Sequence, residues 1–176
     1  MKNSSRRGFM GMAFGAVAGV GAVASLYAMK KSWDPLPSVK AAGFTTLDMS
    51  IYEENVLVTE KWRGKPIFVL KMSNAMVEKA KAKQSDMDRL IKVGDAYYAV
   101  SIGLCTHLGC IPGYNASTEE FLCACHGGMY DVAGDVIKAP PPRGFDIPPF
   151  KVDGMNLVLG ETSEAYDKMK TNGTTL

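Results

Sequence analysis

The chain has 176 residues, of which 47% are hydrophobic and 22% charged, a composition typical of a folded domain and not of a disordered chain. The 20 basic and 18 acidic residues leave a net charge of +2, and no basic stripe is present, so we predict no nucleic-acid partner. The length allows one globular domain of about 100–150 residues and an appendage.

The N-terminus combines basic residues with a long uncharged segment. Lys2, Arg6 and Arg7 precede residues 8–29, which contain no charged residue. A helix of that length spans about 33 Å, more than the roughly 30 Å of a bilayer's hydrocarbon core. We therefore predict a retained transmembrane anchor, with residues 1–7 in the cytoplasm and the remainder of the chain exported.

Two further features of this segment bear on export. Residues 5–10, Ser-Arg-Arg-Gly-Phe-Met, resemble a twin-arginine signal. A signal peptide cleaved after a small-x-small site such as residues 22–24 is the alternative, but signal cores are shorter, at about 7–15 residues. Gly11, Gly15 and Gly19 recur every four residues, a spacing that fits close helix–helix packing and equally a glycine-rich export signal.

Beyond the anchor, the pattern predicts a linker followed by a mostly β head. Residues 30–50 contain Pro35, Pro37 and Gly43 with little apolar periodicity and are predicted to be a flexible linker. Within a head of residues 51–160 we predict strands at 55–59, 65–70 and 96–102, a helical insertion at 74–91 that Asn74 could cap, and a hairpin at 152–159 around Asp153 and Gly154. Residues 161–176 form a polar tail to which no structure is assigned.

All the cysteines and histidines of the chain, four and two in number, lie within residues 105–126. They fall into two boxes, which read Cys105-Thr-His107-Leu-Gly-Cys110 and Cys123-Ala-Cys125-His126-Gly. Such crowding indicates a single metal or redox site. Two Cys and two His could hold tetrahedral zinc, although their order is not the usual one. Two plain disulfides in an exported protein would leave both histidines unexplained.

The boxes resemble the two-box motif of Rieske iron–sulfur proteins, in which two His replace two Cys on one iron. Residues 61–66, residues 139–142 and the order of anchor, linker and β head resemble the Rieske subunit of respiratory cytochrome bc complexes. The resemblance covers residues 1–160. It implies a mostly β fold: a Rieske-type antiparallel head with a small cluster-binding subdomain at residues 103–143, one helical insertion and a single N-terminal transmembrane helix.

The resemblance also implies that two cysteines and two histidines bind one 2Fe–2S cluster and that the other cysteines form a disulfide. One iron is bound by Cys105 and Cys123, the outer iron by His107 and His126, and the disulfide joins Cys110 and Cys125. Replacing two thiolates by neutral imidazoles changes the charge of the oxidised site from about −2 to about 0, which raises its potential. Both histidines can exchange a proton near neutral pH, and His126 corresponds to the residue that hydrogen-bonds the quinol hydroxyl.

Five neighbouring residues take roles from the same resemblance. Leu108, Pro140 and Pro141 correspond to the docking tip, with Leu108 covering the cluster. Tyr130 corresponds to the residue whose hydroxyl bonds the sulfur of a ligand cysteine. Gly128 stands where high-potential members have Ser, so a hydrogen bond to cluster sulfur is lost and a lower potential is predicted, which suits a quinol such as menaquinol.

The implied function is that of the electron-transfer subunit of a quinol–cytochrome c oxidoreductase in a bacterial inner membrane. The head, in the periplasm, takes an electron coupled to a proton from quinol at the cytochrome b subunit and passes it to a membrane-associated cytochrome c subunit, which contributes to proton translocation. Membrane lipid surrounds the anchor, and the complex is expected to be dimeric. The alternatives are the small Rieske subunit of an arsenite oxidase and, from another class, a membrane-anchored zinc-binding interaction module.

Overall fold

A computed structural model describes residues 5–41 and 43–171. Residues 1–4 of the predicted cytoplasmic N-terminus and residues 172–176 of the predicted tail lie outside the described residues. The chain divides into two compact units, one ending at Ala41 and the other beginning at Ala42. The first unit is helical and the second is mostly β.

Helix α1 (Arg6–Trp33) makes up most of the first unit. Ser5 caps it, because the Ser5 hydroxyl accepts a hydrogen bond from the Gly8 N–H at 3.3 Å. None of its side chains is buried, and within residues 5–41 and 43–171 it is the one helix long and apolar enough to cross a membrane. A single apolar N-terminal helix fits a membrane-anchored subunit.

Helix α1 extends past the predicted span of residues 8–29 at both ends. It stops at Asp34, which precedes Pro35, and the residue before a proline disfavours the α conformation. A single short helix, α2 (Pro37–Ala41), follows.

Three antiparallel sheets form the described part of the second unit. The first has three strands with β11 in the middle: β1 (Thr45–Asp48), β10 (Phe150–Asp153) and β11 (Asn156–Leu159). The second, in the order β2-β3-β5-β4, contains β2 (Leu57–Trp62), β3 (Lys65–Lys71), β4 (Leu90–Val93) and β5 (Ala96–Ile102). The third runs in chain order through β6 (Gly113–Asn115), β7 (Glu120–Cys123), β8 (Gly128–Tyr130) and β9 (Val136–Lys138). The helices of this unit are α3 (Asn74–Lys81), α4 (Gln84–Met87) and α5 (Glu164–Thr171).

The mostly β prediction for the head is confirmed. The strands predicted at residues 65–70 and 96–102 are β3 and β5, and the strand predicted at 55–59 begins two residues later as β2. The hairpin predicted at 152–159 is β10 and β11, which turn at Gly154 with a φ of +59°, a conformation that favours glycine.

The head begins earlier than residue 51. Strand β1 lies inside the predicted linker of residues 30–50 and pairs with β11 near the other end of the chain. Leu47 and Met49 are buried in the main hydrophobic core. A four-residue strand with one buried side chain has no recognisable alternation, so its pairing with a distant strand had no signal in the sequence.

The helical insertion is shorter than the predicted range of residues 74–91. Ser73, not Asn74, caps α3, because the Ser73 hydroxyl accepts a hydrogen bond from the Met76 N–H at 3.4 Å. Leu90 and the residues that follow form the edge strand β4, which pairs with β5. These apolar positions suggested the stripe of a helix but pack as a buried strand.

The predicted polar tail contains helix α5. Tyr166 and Met169 of this helix are buried in the main core, and the Tyr166 ring meets Phe150 edge to face with centroids 5.9 Å apart. Ser163 donates a hydrogen bond to the Phe150 carbonyl at 2.8 Å. Two apolar residues spaced by three in a charged segment are enough to attach this helix to the first sheet.

Candidate metal centre

Two loops with the same local geometry hold the six Cys and His side chains. One loop follows β5 and the other joins β7 to β8. In the first, the Gly109 N–H donates to the Cys105 carbonyl at 2.8 Å, and in the second the Gly127 N–H donates to the Cys123 carbonyl at 2.9 Å. Gly109 and Gly127 have φ values of +81° and +71°, which favour glycine. Each loop therefore turns back over its leading cysteine.

A disulfide joins the two loops. It links Cys110 and Cys125, whose Cα atoms are 6.7 Å apart. The other two cysteines, Cys105 and Cys123, are free and buried. The Cys105 N–H also donates to the Cys110 carbonyl at 2.7 Å, so the start and end of the first loop are tied together.

The two histidines lie next to each other with different exposure. Their rings are arranged edge to face with centroids 4.7 Å apart. The His126 side chain is exposed, whereas Nδ1 of His107 is buried and has no hydrogen-bond partner among the described residues. Leaving a buried polar atom unpaired costs about 1–3 kcal/mol, so this nitrogen is where a metal would restore a partner.

The environment distinguishes the two free thiols. Burial raises the pKa of Cys105. Hydrogen bonds from the Tyr130 hydroxyl at 3.2 Å and from the backbone N–H of His107 outweigh burial and hold that pKa below its ordinary value. Burial and the neighbouring Cys105 sulfur raise the pKa of Cys123. The surroundings of Cys105 therefore favour its thiolate, the form of cysteine that binds metal.

Tyr130 is fixed at both ends. Its ring is fully buried at the end of β8, within an aromatic cluster that includes Phe68, Phe121 and Phe145. The Thr106 N–H donates to its hydroxyl oxygen at 3.0 Å, which leaves the hydroxyl proton directed at Cys105.

Gly128 lies against residues 139–142, which we call the proline loop. A Cβ built on Gly128 would stand 2.5 Å from Cδ of Pro141, closer than real Cβ contacts allow. The backbone of Gly128 is outside the left-handed region, so the obstacle to a side chain is the Pro141 ring. A serine side chain at position 128 therefore has no room in this arrangement.

The structure places two of the three predicted tip residues at the surface. Leu108 is 71% exposed and Pro140 is exposed, whereas Pro141 is buried over Gly128. Pro141 therefore packs inside the proline loop and contributes little to its outer surface.

The sequence analysis missed three residues that contact this centre or support it through other residues. Thr106 lies inside the first box, so its position in the motif could have identified it from the sequence. Its hydroxyl also donates to the Arg143 carbonyl at 2.6 Å. Phe145 and Arg89 have no such signal, because they reach the centre only through the fold.

The donor set left free by the disulfide is two thiols and two imidazoles, which is the set that a Rieske centre requires. Tetrahedral zinc could use the same four groups, so the geometry alone leaves both chemistries open.

Comparison with known proteins separates them. The Rieske [2Fe-2S] domain family matches residues 49–151. The ubiquinol-cytochrome c reductase iron-sulfur subunit of Rickettsia felis is 35% identical over 157 residues, which cover 85% of this chain and 89% of that protein. The subunit of the same name from Bradyrhizobium diazoefficiens is 36% identical over 157 residues, covering 84% and 89%.

A solved structure agrees. A chain of a hyperthermophilic respiratory Complex III superposes with a TM-score of 0.59 at 32% identity, covering 84% of this chain and 98% of that chain. The cofactor of the family is a 2Fe–2S cluster, so the zinc alternative is not supported. The chain belongs to the Rieske [2Fe-2S] family, with the iron–sulfur subunits of bacterial ubiquinol–cytochrome c reductases as its relatives.

Proposed function

We propose that the chain is the electron-transfer subunit of a bacterial quinol–cytochrome c reductase. The observation that carries the proposal is the convergence of Cys105, Cys123, His107 and His126 on two loops joined by a disulfide. The relatives named above are subunits of such reductases, and no feature of the described residues favours the arsenite oxidase alternative.

Four side chains would hold the cluster. Cys105 and Cys123 bind one iron, and His107 and His126 bind the other. The unpartnered buried Nδ1 of His107 supports its role as a ligand. When bound, the cluster accepts and releases one electron, and two neutral imidazoles in place of thiolates make that uptake easier.

His126 would receive the quinol. Its side chain is exposed, so with one ring nitrogen on iron the other would be free to accept a hydrogen bond from a quinol hydroxyl and to take its proton. The exposed side chains of Leu108 and Pro140 provide an apolar surface for docking at the cytochrome b subunit. The electron then goes to a membrane-associated cytochrome c subunit, within a complex that we propose to be dimeric.

The head would lie in the periplasm. Lys2, Arg6 and Arg7 precede the anchor, and this charge bias keeps the N-terminus in the cytoplasm. The disulfide between Cys110 and Cys125 supports the assignment, because disulfides persist in the oxidising periplasm and are rare in the cytosol.

The test is purification of the full chain from its native membranes. We expect cytochrome b and c haems to co-purify, with two irons per chain in addition to haem and the electron paramagnetic resonance signal of a reduced Rieske centre. Zinc in place of this iron, or a chain recovered without haem proteins, would contradict the proposal.

The ligand assignment has its own test. We expect His107→Ala or His126→Ala to abolish the resonance signal, because the sequence contains only 2 histidines and none can substitute. The control is Leu122→Ala, a change at an exposed position of strand β7, and we expect it to keep the signal. A native spectrum in either histidine variant would disprove the assignment.

A further inference from the structure

Arg89 is a buried cation between the helical insertion and the cluster-binding subdomain. Only 5% of this residue is exposed. Its Nε donates to the Ala133 carbonyl at 3.0 Å, and its Nη2 donates to the Phe145 carbonyl. Throughout residues 5–41 and 43–171, no carboxylate lies within ion-pair distance of Arg89. Nε and Nη2, the two guanidinium nitrogens named here, therefore each hold a backbone carbonyl.

These contacts fix the backbone of Phe145 from both sides. The Phe145 N–H donates to the Gly134 carbonyl at 2.8 Å, while its own carbonyl is held by Arg89. The packing is tight around both groups. A Cβ at Gly144 would lie 2.8 Å from Nη1 of Arg89, and a Cβ at Gly134 would lie 2.9 Å from Cδ2 of Phe145.

The Phe145 ring in turn holds Tyr130. The two rings are stacked with centroids 3.9 Å apart and planes 28° apart, and both residues are buried. The Tyr130 hydroxyl donates to Sγ of Cys105 at 3.2 Å. Direct contacts therefore run from Arg89 to Phe145, from Phe145 to Tyr130, and from Tyr130 to the sulfur.

We propose that Arg89 is a positioning residue that sets the midpoint potential of the centre by holding Tyr130 in hydrogen-bonding reach of Cys105. A hydrogen bond to a ligand sulfur stabilises the reduced state, and its strength falls steeply as distance and angle depart from ideal values. The inference rests on the proposed role of Cys105 as a cluster ligand. It adds a residue of the insertion, 16 positions before Cys105 in the chain (105 − 89), to the determinants of the potential.

The first experiment compares single variants in the full-length chain within its membrane complex. Iron per chain, the resonance spectrum and the midpoint potential are measured for Arg89→Gln and Arg89→Lys. Both variants are expected to lower the potential with the cluster retained, because neither side chain has two separate donor nitrogens in the positions of Nε and Nη2. Lys79→Gln is the matched control: it removes a positive charge from the same insertion at an exposed ion pair, and its potential should equal that of the wild type.

A through-space effect of the positive charge is the competing explanation. Under that explanation Arg89→Lys, which keeps the charge, leaves the potential unchanged. A double-mutant cycle with Tyr130→Phe gives an independent answer. If Arg89 acts through Tyr130, Arg89→Gln causes no further shift in the Tyr130→Phe background; an undiminished shift there would overturn the inference.

Phe145→Leu covers the case in which the Arg89 variants fail to fold. It keeps the backbone carbonyl that Arg89 binds and removes the ring that supports Tyr130, so the potential should fall. An unchanged potential in this variant, with full cluster content, would also overturn the inference. If Tyr130→Phe itself leaves the potential unaltered with the cluster intact, the inference is overturned as well. A failure of the proposed ligand role of Cys105 is distinguishable from this outcome, because it would appear as a native resonance spectrum in Cys105→Ser.

Discussion

Gly128 and Pro141 lie in direct contact above the second cluster loop, and this contact changes what a serine at position 128 can do. The hydroxyl would add a hydrogen bond to cluster sulfur, but its Cβ must first displace the Pro141 ring, 2.5 Å away. At this residue, a change in the midpoint potential through a new hydrogen bond therefore also requires a change in the packing of the proline loop.

We expect Gly128→Ser alone to lower cluster retention, because Pro141 must move. The double variant Gly128→Ser with Pro141→Ala removes the ring and should recover the cluster with a higher midpoint potential. A bond to a charged group of about 1.5–3 kcal/mol, made only in the reduced state, corresponds to about 60–130 mV for one electron. Redox titration measures the shift.

Gly128→Ala with Pro141→Ala is the control, since it adds the same Cβ without the hydroxyl. Its potential should match that of Pro141→Ala alone. A double serine variant with an intact cluster and an unchanged potential would show that the hydroxyl does not reach the sulfur.

The two cluster loops act as one element because the disulfide between Cys110 and Cys125 joins them. Cys110→Ser removes this link and leaves both free thiols in place. We expect a centre with a near-native resonance spectrum but less iron per chain and faster loss of iron on warming, because the loops can separate. Cys105→Ser should instead eliminate the native spectrum. Identical behaviour of the two variants would contradict the division between ligands and disulfide.

Lys83 links the helical insertion to the segment between β8 and β9 by ion pairs. Its Nζ lies 2.6 Å from a carboxylate oxygen of Asp86, 2.9 Å from Asp131 and 3.0 Å from Asp135. The pKa of Asp135 is lowered because its hydrogen bond and charge interaction with Lys83 outweigh burial, whereas burial raises the pKa of Asp131. Hydrogen bonds to the three carboxylates, against the cost of burial, raise the pKa of Lys83.

Lys83→Met should lower the free energy of unfolding by about 1–2 kcal/mol, a value already reduced for the partial exposure of the lysine. The lowered pKa of Asp135 stabilises the fold above the ordinary aspartate pKa of about 3.9, and this stabilisation is lost as the pH falls further. The raised pKa of Lys83 stabilises the fold below about pH 10.4. Because the pKa of Asp131 is raised, its pair with Lys83 is lost first as the pH falls, above about pH 3.9. The difference between wild type and Lys83→Met should therefore be full only from well above that pH up to about pH 10.4, and it should shrink in acid.

Denaturant unfolding of the full chain at several pH values measures this difference. Lys81→Met is the matched control, because Lys81 forms only an exposed pair with Glu78 on the same helix. Equal destabilisation by both variants would show that the three carboxylates have no special part in holding the insertion.

Over the whole molecule, the proposed function requires one centre to meet quinol at one subunit and a haem at another. We propose that the head moves between these positions on the segment between Trp33, where α1 ends, and Gly43. The head sets the C-terminal end of this segment at Gly43, because the side chains of Trp62 and Arg63 donate hydrogen bonds to the Gly43 carbonyl at 3.0 and 3.2 Å. The proposed tether is therefore shorter than the predicted linker of residues 30–50.

Replacing residues 40–42 by three prolines preserves the length of the tether and stiffens it. We expect a large fall in cytochrome c reduction, with iron content and midpoint potential unaltered. The control replaces the same residues by Ser-Gly-Ser, a flexible sequence of equal length, and should preserve turnover. Unchanged turnover in the proline variant would show that the segment is a passive spacer.

The sequence by itself was sufficient for the features carried by short segments. The order of Cys and His in residues 105–126 indicated the centre, and the uncharged run of residues 8–29 indicated the anchor. Glycines such as Gly109 and Gly127 lie within the boxes, so the tight loop turns were encoded beside the ligands. In each case the sequence signal lies in the same continuous segment of the chain as the structure that it specifies.

The tertiary structure alone decided the features that depend on distant partners. Strand β1 exists because it pairs with β11, and α5 is attached because Tyr166 meets the core that Phe150 helps to form. Arg89 reaches the centre through Phe145, 56 residues further along the chain. The ring of Pro141 occupies the space over Gly128. Local patterns carry no record of such contacts, because burial and hydrogen bonding between remote residues are defined only once the chain has folded.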